Sequence, residues 1–352
     1  MNKAITLLLL AVILTASTAR AEDKNKRWRV VEYNVENFYD TIPSNIHDDT
    51  QFLPSSEREW NGRRYWYKQG LLARTLANLG ETAPPDLVAL CEIESERVLE
   101  DLTRHTSLKK FGYEYLATHS KDTRGMNVAL LYRPLSFRPY NHKSISTSPP
   151  QKELRQTRDV LHVSGELPTG DTLDVFVCHA PSRMGGKSVT SNYRELVAKS
   201  IYDRIKMLTV IRQNLYVLIL GDFNDDYTEP SIKRGLGAKP YENERDTLYH
   251  QLYVLTHNLR NKDGVRGTYK FQGEWNQLDQ IIVNGNLLNE KSSFHVVNNT
   301  CRIANLPYLQ EVRGEGKSIT PKRTFLGTHY HGRTERPLSA RRGFYLLKFS
   351  GG

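Results

Sequence analysis

The stretch "LYVLILGDFNDDYTEPSI" (residues 215–232) begins as an uninterrupted apolar run and ends in a crowd of acids and amides. Leu215–Leu220 is rich in branched and aromatic residues and reads as a strand buried on both faces. Gly221 ends it, and Asp222, Phe223, Asn224, Asp225 and Asp226 follow. Strand alternation places Asp222 and Asn224 on one face. Four acid or amide groups packed against a buried strand repel one another and call for a cation or an electrophile. The competing reading is an Asx-rich turn that opens a helix at "TEPSI". A buried strand seldom ends in such a group, so the chemical reading is the stronger one.

Other strands end the same way. "VEYNVENFYD" (31–40) closes a strand with Asn34 and carries Glu36 two residues on; "DLVALCEIES" (86–95) does the same with Glu92 and Glu94. Alternation puts each pair on one face. Carboxylate and amide oxygens suit a hard divalent ion such as Mg²⁺, Mn²⁺ or Ca²⁺. Taken singly these motifs are weak, since acids at strand ends are ordinarily solvated. "VCHAPSRMGGK" (177–187) sets His179 where an apolar strand stops, followed by Arg183, a glycine pair and Lys187. Backbone amides and basic side chains of that kind can hold phosphate oxygens, although a rim histidine beside a glycine loop would look the same. "GTYKFQGEWNQLDQIIV" (267–283) puts Asp279 inside an apolar strand. A buried Asp needs a partner, and a histidine whose tautomer it fixes is the natural one. Strand ends that converge on one rim are a usual way for α/β folds to build a site.

The chain has 352 residues, 38% of them hydrophobic and 25% charged, which suits one large α/β domain or two small ones. Further strand-like runs are "RWRVVEYNV", "NVALLYR", "DTLDVFVCHA" and "FYLLKF". Helical spacing marks residues 67–80, closed by Gly80, and residues 191–212. Hairpin-like joins alternate with helical crossovers, so mixed sheets with helices outside are expected. Residues 284–325 read as long polar loops. At the N-terminus, Lys3, an apolar run from Ala4 to Leu14 and the small residues before Ala21 have the layout of a cleaved export signal. The expected organisation is a signal over residues 1–21 and a single domain over 22–352, exported to the periplasm or outside the cell, with no stable membrane anchor. Cys91, Cys178 and Cys301 are an odd number at irregular spacing and form no disulfide framework. No pairing motif is present, so a monomer is expected.

Taken in order, "NVEN-F-D", "EIE", "RG", "VALLYRP", "H-PSR-GG", "GDFND" and "GTY…G-W…LDQI" resemble the endonuclease/exonuclease/phosphatase superfamily in its exported bacterial branch. The resemblance implies a DNase I-like four-layer α/β sandwich, two packed mixed β-sheets with helices outside. It implies Asn34 and Glu92 as holders of metal and scissile phosphate, supported by Glu36. His179 would bind the phosphate, Asp222 would orient or deprotonate water, and Asn224 would position water and phosphate. Asp279 would orient a C-terminal histidine, and Arg124 and Arg183 would reach the substrate. The implied reaction is divalent-metal-assisted hydrolysis of a phosphodiester, with DNA or RNA as the leading substrate. A phosphatase or phospholipase, or a catalytically weak polyanion binder, are the alternatives.

The formal charge is +10, or +8 without Lys3 and Arg20 of the signal, which favours anionic partners. Nine of those basic residues lie between 301 and 342, against three Glu. That region also departs from the family. Where an Asp-His motif should precede the last strand, the chain reads "HGRTERPLSARRGF" (331–344). Glu335-Arg336-Pro337-Leu338 can be encoded GAG CGA CCA CTA. Shifted by one base, this reads AGC GAC CAC, or Ser-Asp-His. A compensating pair of one-base shifts across residues 332–343 is therefore expected, with true divergence of the segment as the alternative.

Overall fold

The computed structural model describes residues 27–79, 83–148, 156–243, 247–261, 264–304, 306–313, 318–321, 325–326, 329–330 and 344–351. The expected signal (1–21) and the frame-shift segment (332–343) lie outside them.

The chain opens with β1 (Arg27–Phe38), α1 (Gly62–Asn78), β2 (Leu87–Ile93), α2 (Glu96–Arg104), β3 (Glu114–Ala117) and β4 (Asn127–Tyr132). It continues through β5 (Arg138–Ile145), β6 (Val160–Glu166), β7 (Thr172–His179), α3 (Ser191–Ile211) and β8 (Tyr216–Asp222). Short strands follow: β9 (Lys239–Pro240), β10 (Leu252–Val254), β11 (Tyr269–Phe271), β12 (Glu274–Asn276), then β13 (Asp279–Asn284), β14 (Phe294–Val296) and β15 (Arg302–Ala304). Last come β16 (Gln310–Arg313), β17 (Ser318–Pro321), β18 (Phe325–Leu326), β19 (His329–Tyr330) and β20 (Phe344–Gly351).

Among the described residues these strands build two large mixed sheets. One runs β14-β20-β1-β2-β4-β3, with β15 also paired to β20; the other runs β5-β6-β7-β8-β13-β10-β9. The parallel pairs β1/β2 and β7/β8 are each joined by a helical crossover, α1 and α3, as parallel pairing requires. Alternation explains the layers. In β8, Leu218 and Leu220 face the other sheet, where they meet Ala89 and Val128, while Val217 and Ile219 pack with Ile201 and Leu208 of α3. In β1, Val30 points into the inter-sheet core, and Val31, Tyr33 and Val35 pack under Leu72 and Leu76 of α1. The result is helix, sheet, sheet, helix, the four-layer DNase I-like sandwich that the motifs imply. Each such core leucine is worth about 2–5 kcal/mol against truncation to alanine.

Some details differ from the sequence reading. α1 starts at Gly62, earlier than the apolar spacing indicates, because the Asn61 side chain caps it by accepting the Arg64 N–H at 3.2 Å. The β5/β6 hairpin escaped notice because β5 is an edge strand with mostly exposed, polar residues. The region read as loops, 284–325, holds β14–β17 among its described residues. Cys91, Cys178 and Cys301 are all free thiols. Cys91 lies in the inter-sheet core and Cys178 packs on the α3 side, so their sulfurs face opposite sides of the second sheet.

Candidate active site

The two central strand pairs end at the same rim. Parallel register sets His179 of β7 beside Asp222 of β8, and antiparallel register sets Asp279 of β13 on the other side of Asp222. β1 and β2, in the facing sheet, bring Asn34 and Glu92 to the same place. Asn34 Nδ2 donates to Glu92 Oε1 at 3.1 Å and to Asp222 Oδ2 at 3.0 Å, so one amide spans the two sheets. His179 Nε2 stands 3.3 Å from Asp222 Oδ2 and 3.9 Å from Glu92 Oε1. Glu92, His179 and Asp222 thus converge, with ligand atoms all within 4.8 Å of one another.

The backbone around this group is strained. Glu36 (φ 54°), Asn37 (φ 48°), Glu92 (φ 68°) and Asn224 (φ 50°) all occupy the left-handed region, which non-glycine residues enter at a cost of about 1–3 kcal/mol each. Glu92 sits where the β2/β4 register slips, and Glu36 and Asn37 where the β1/β2 register slips. Such bulges re-aim side chains. Asn37 N–H donates to Glu92 Oε2 at 2.7 Å, which locks one bulge to the other. Gly221 (φ 139°) is needed for a different reason: a Cβ there would collide with the Cys178 carbonyl of the neighbouring strand.

The bulges overturn two expectations from alternation. Glu36 does not continue the face of Asn34 along a regular strand; its N–H turns back to Asn34 Oδ1 at 3.0 Å, and it stands outside the three-residue group. Glu94 leaves the face of Glu92 altogether and joins His47 and Asp49. Asn224 lies close to Asp222 through a tight turn, its N–H donating to Asp222 Oδ1 at 2.9 Å and its Nδ2 to the Ala180 carbonyl at 2.9 Å.

Asp222 is completely buried, and His179 is 3% exposed. Burial, aided by the Arg158 guanidinium, holds His179 below the ordinary imidazole value despite the pull of Asp222. The imidazole is therefore neutral at neutral pH. Its Nε2 faces a carboxylate and so carries the proton, a tautomer assigned from the network. His179 Nδ1 is buried and has no hydrogen-bond partner among the described residues. Asp279 accepts a bond from the Thr268 hydroxyl. The C-terminal histidine expected beside it falls outside the described residues.

Arg124 lies in an exposed loop whose backbone carbonyl accepts the Tyr39 hydroxyl at 2.8 Å, next to the end of β1. Arg183 does not point freely outward. Its Nε donates to the Asn224 carbonyl at 2.7 Å, and its Nη2 stands 3.5 Å from Asp225 Oδ1, so it braces the "GDFND" turn. Lys187 pairs with Glu229.

Two residues escaped the sequence reading. Arg158 is 3% exposed and lies 3.7 Å from Asp122 Oδ2, with its charge felt at His179; nothing in "RQTRDV" marks it out. Lys68 is buried under the site, donating to the Glu36 and Asn37 carbonyls with Phe38 and Trp60 rings beside it. Burial pushes its ammonium down to about 8. A signal existed: Lys68 occupies the buried stripe of α1 with Tyr65, Leu72 and Leu76, where an apolar residue belongs.

The profile of the Endonuclease/Exonuclease/phosphatase family matches residues 29–337, and the chain belongs to that family. Among solved structures, it is similar to an endonuclease/exonuclease/phosphatase family protein from Bacteroides thetaiotaomicron (18% identity, TM-score 0.58, covering 92% of this chain and 98% of that one). It is also similar to a mannosyl-6-phosphatase of Bacteroides thetaiotaomicron (17%, TM-score 0.57, 92% and 99%). A third is D. rerio TDP2 complexed with a single-strand DNA product (13%, TM-score 0.52, 92% and 99%). At these identities the likeness is one of fold. No curated protein sequence matches the chain significantly. Members of the family hydrolyse phosphate esters, and the Glu92, His179 and Asp222 group could hold the divalent ion typical of them. No helix among the described residues is long and apolar enough to cross a membrane.

Proposed function

We propose that this chain is an exported, single-domain, divalent-metal-dependent phosphodiesterase that hydrolyses nucleic acid. The observation that carries the reading is the meeting of Glu92, His179 and Asp222 at the rim, bridged by Asn34. Two convergent carboxylates and an amide oxygen suit a bound divalent cation, with His179 beside them as a donor, so the residues fit the ion. Glu92 would hold it with Asn34, supported by Glu36, and when bound it would polarise a phosphate oxygen.

The protein's own groups then have distinct tasks. Asp222 is held by the Asn224 N–H and by Asn34, which aims its carboxylate to accept the proton of an attacking water. His179 presents Nε2–H to the phosphate and stabilises charge that develops there. Arg124 and Arg158 add positive potential at the same rim, which favours an anionic substrate. Exposed Trp66 and Tyr67, one helical turn from the Asn61 cap, offer faces on which bases could stack.

The reading includes the frame shift across residues 332–343. β20 pairs with β1 over Arg27–Glu32 and completes the sheet, yet the family match stops at residue 337. This pattern suits a correct last strand preceded by a corrupted segment. Sequencing the gene tests it: codons 336 and 337 should both end in A, and any other base there defeats the shift.

The functional test compares the chain as written with one restored to Ser-Asp-His. Plasmid DNA, RNA and a sugar phosphate monoester are each offered with Mg²⁺, Mn²⁺ or Ca²⁺, and with EDTA. The expected result is ion-dependent degradation of nucleic acid by the restored chain. The fold also serves a mannosyl-6-phosphatase, so hydrolysis of the monoester alone would replace the nuclease reading with a phosphatase. No hydrolysis by either chain would leave a polyanion binder.

A further inference from the structure

We propose that His47, Asp49 and Glu94 form a second metal site, separate from the central group, that takes a borderline divalent cation of the Zn²⁺ class. Their ligand atoms lie within 4.8 Å of one another. His47 Nε2 and Glu94 Oε1 are 3.0 Å apart, close to the ~3.3 Å edge of a tetrahedron with ligands at about 2.0–2.1 Å. All three side chains are substantially shielded: Asp49 is 4% exposed, Glu94 5%, and the His47 side chain 10%.

The second observation concerns what holds these ligands. A metal-binding imidazole ordinarily spends its other nitrogen on an outer hydrogen bond, which fixes the tautomer. His47 does this, with Nδ1 3.0 Å from the Ser44 hydroxyl, leaving Nε2 aimed at Glu94. The carboxylates are braced in the same manner. Asp49 Oδ2 accepts the Ser44 N–H at 2.8 Å, and Glu94 Oε2 accepts the Asp40 N–H at 2.6 Å while Oε1 faces His47. Gly125 closes over the His47 ring so tightly that a Cβ at Gly125 would overlap it. The imidazole is thereby fixed on both its edge and its face.

The donor set selects the cation. One imidazole nitrogen and two carboxylates disfavour Mg²⁺, which prefers an all-oxygen shell with several waters, and suit Zn²⁺. Three protein ligands leave room for a water as the fourth. The position suggests its task. Asp48 N–H donates to the Thr123 carbonyl at 2.9 Å, so the 40–49 loop is tied to the loop that carries Arg124. A cation at His47, Asp49 and Glu94 would clamp that loop to the end of β2 and hold the Arg124 loop in place.

The test reads metal content and does not depend on hydrolysis. An Asp222→Asn/His179→Ala/Glu92→Gln protein (the triple variant), in which all three convergent central side chains are altered, is stripped with EDTA, dialysed against Zn²⁺ and assayed for bound zinc. About one equivalent per chain is expected, with Co²⁺ substitution giving visible d–d absorption. Adding His47→Ala should abolish the zinc and the absorption. Ser44→Ala, which removes no ligand and keeps the Ser44 N–H bond to Asp49, should weaken zinc binding by about 10–100-fold. A melting temperature raised by Zn²⁺ in the triple variant and unmoved in the His47→Ala version would agree. No zinc uptake by the triple variant, or uptake unchanged by both His47→Ala and Ser44→Ala, would overturn the proposal.

Discussion

β7 contributes one member of a histidine–aspartate pair at each end, Asp174 with His162 of β6 and His179 with Asp222 of β8, and the two pairs differ in what surrounds them. Toward its start, Asp174 meets His162 Nε2 at 3.0 Å, Arg212 Nε at 2.9 Å and the Ser164 hydroxyl, and Arg204 Nε donates to His162 Nδ1 at 3.3 Å. The carboxylate is met by the Arg212 guanidinium, the His162 imidazole and a hydroxyl, and both imidazole nitrogens are engaged, Nε2 by Asp174 and Nδ1 by Arg204. At its far end, His179 and Asp222 lie 3.3 Å apart with Glu92 alongside, so two carboxylates share one neutral imidazole whose Nδ1 has no partner among the described residues. Among the described residues, the first group sets one carboxylate against one guanidinium and is balanced, and the second sets two carboxylates on one imidazole and is unbalanced, beside strained backbone. Balance identifies a structural network and imbalance a chemical one, even though both contain the same residue types.

The largest expected effect lies at the unbalanced end. Restoring Ser-Asp-His should raise hydrolysis about 10²–10⁴-fold over the chain as written, the range for one general acid/base group. Equal rates from the two chains would mean that the central group works without that partner. Lys68→Met comes next. It removes the ammonium that holds the left-handed Glu36 and Asn37 carbonyls, and should lower activity about 10–100-fold as an outer support does. Circular dichroism and melting should stay near the parent, since Met fills the same buried space.

At the balanced end the prediction reverses. Arg212→Ala should cost about 3–5 kcal/mol in denaturant unfolding, because Asp174 is left buried and under-paired. Activity per folded molecule should change little. A smaller effect is the pH dependence of stability. Burial pushes Asp174 upward, but His162, Arg212 and Ser164 more than offset it, so its carboxyl lies below the ordinary value. A depressed folded value means that charged Asp174 stabilises the fold above the unfolded value of about pH 4. That stability is lost as the pH falls through the still lower folded value. Urea unfolding of the parent should therefore weaken below about pH 4, and the same profile for Arg212→Ala should be flatter.

Much of this was legible in the sequence for a physical reason. Asp222, His179 and Asp279 sit at the ends or starts of apolar strands, and adjacent strands in register bring such positions together without further information. Mixed sheets with helices outside followed from the order of apolar runs and helical spacings, and the four layers from the resemblance that the motifs carry. What could not be read was anything set by left-handed residues. Glu36, Glu92 and Asn224 carry ordinary side chains in a backbone region that favours glycine, so alternation gave no warning that Glu94 would turn away to His47 and Asp49. Arg158 comes from a polar stretch without periodicity, and only the fold brings it within reach of His179. Lys68 was readable in principle, as a charge on the apolar stripe of α1.

The central claim is that the group of Glu92, His179 and Asp222 hydrolyses phosphate esters with a divalent ion. Its most direct test is the initial rate of plasmid cleavage by the restored chain, with saturating Mn²⁺ or Mg²⁺, before and after Asp222→Asn. The account predicts cleavage that EDTA abolishes and that Asp222→Asn lowers about 10²–10⁴-fold, with an unchanged far-ultraviolet spectrum. Cleavage that survives both the chelator and the substitution would contradict it.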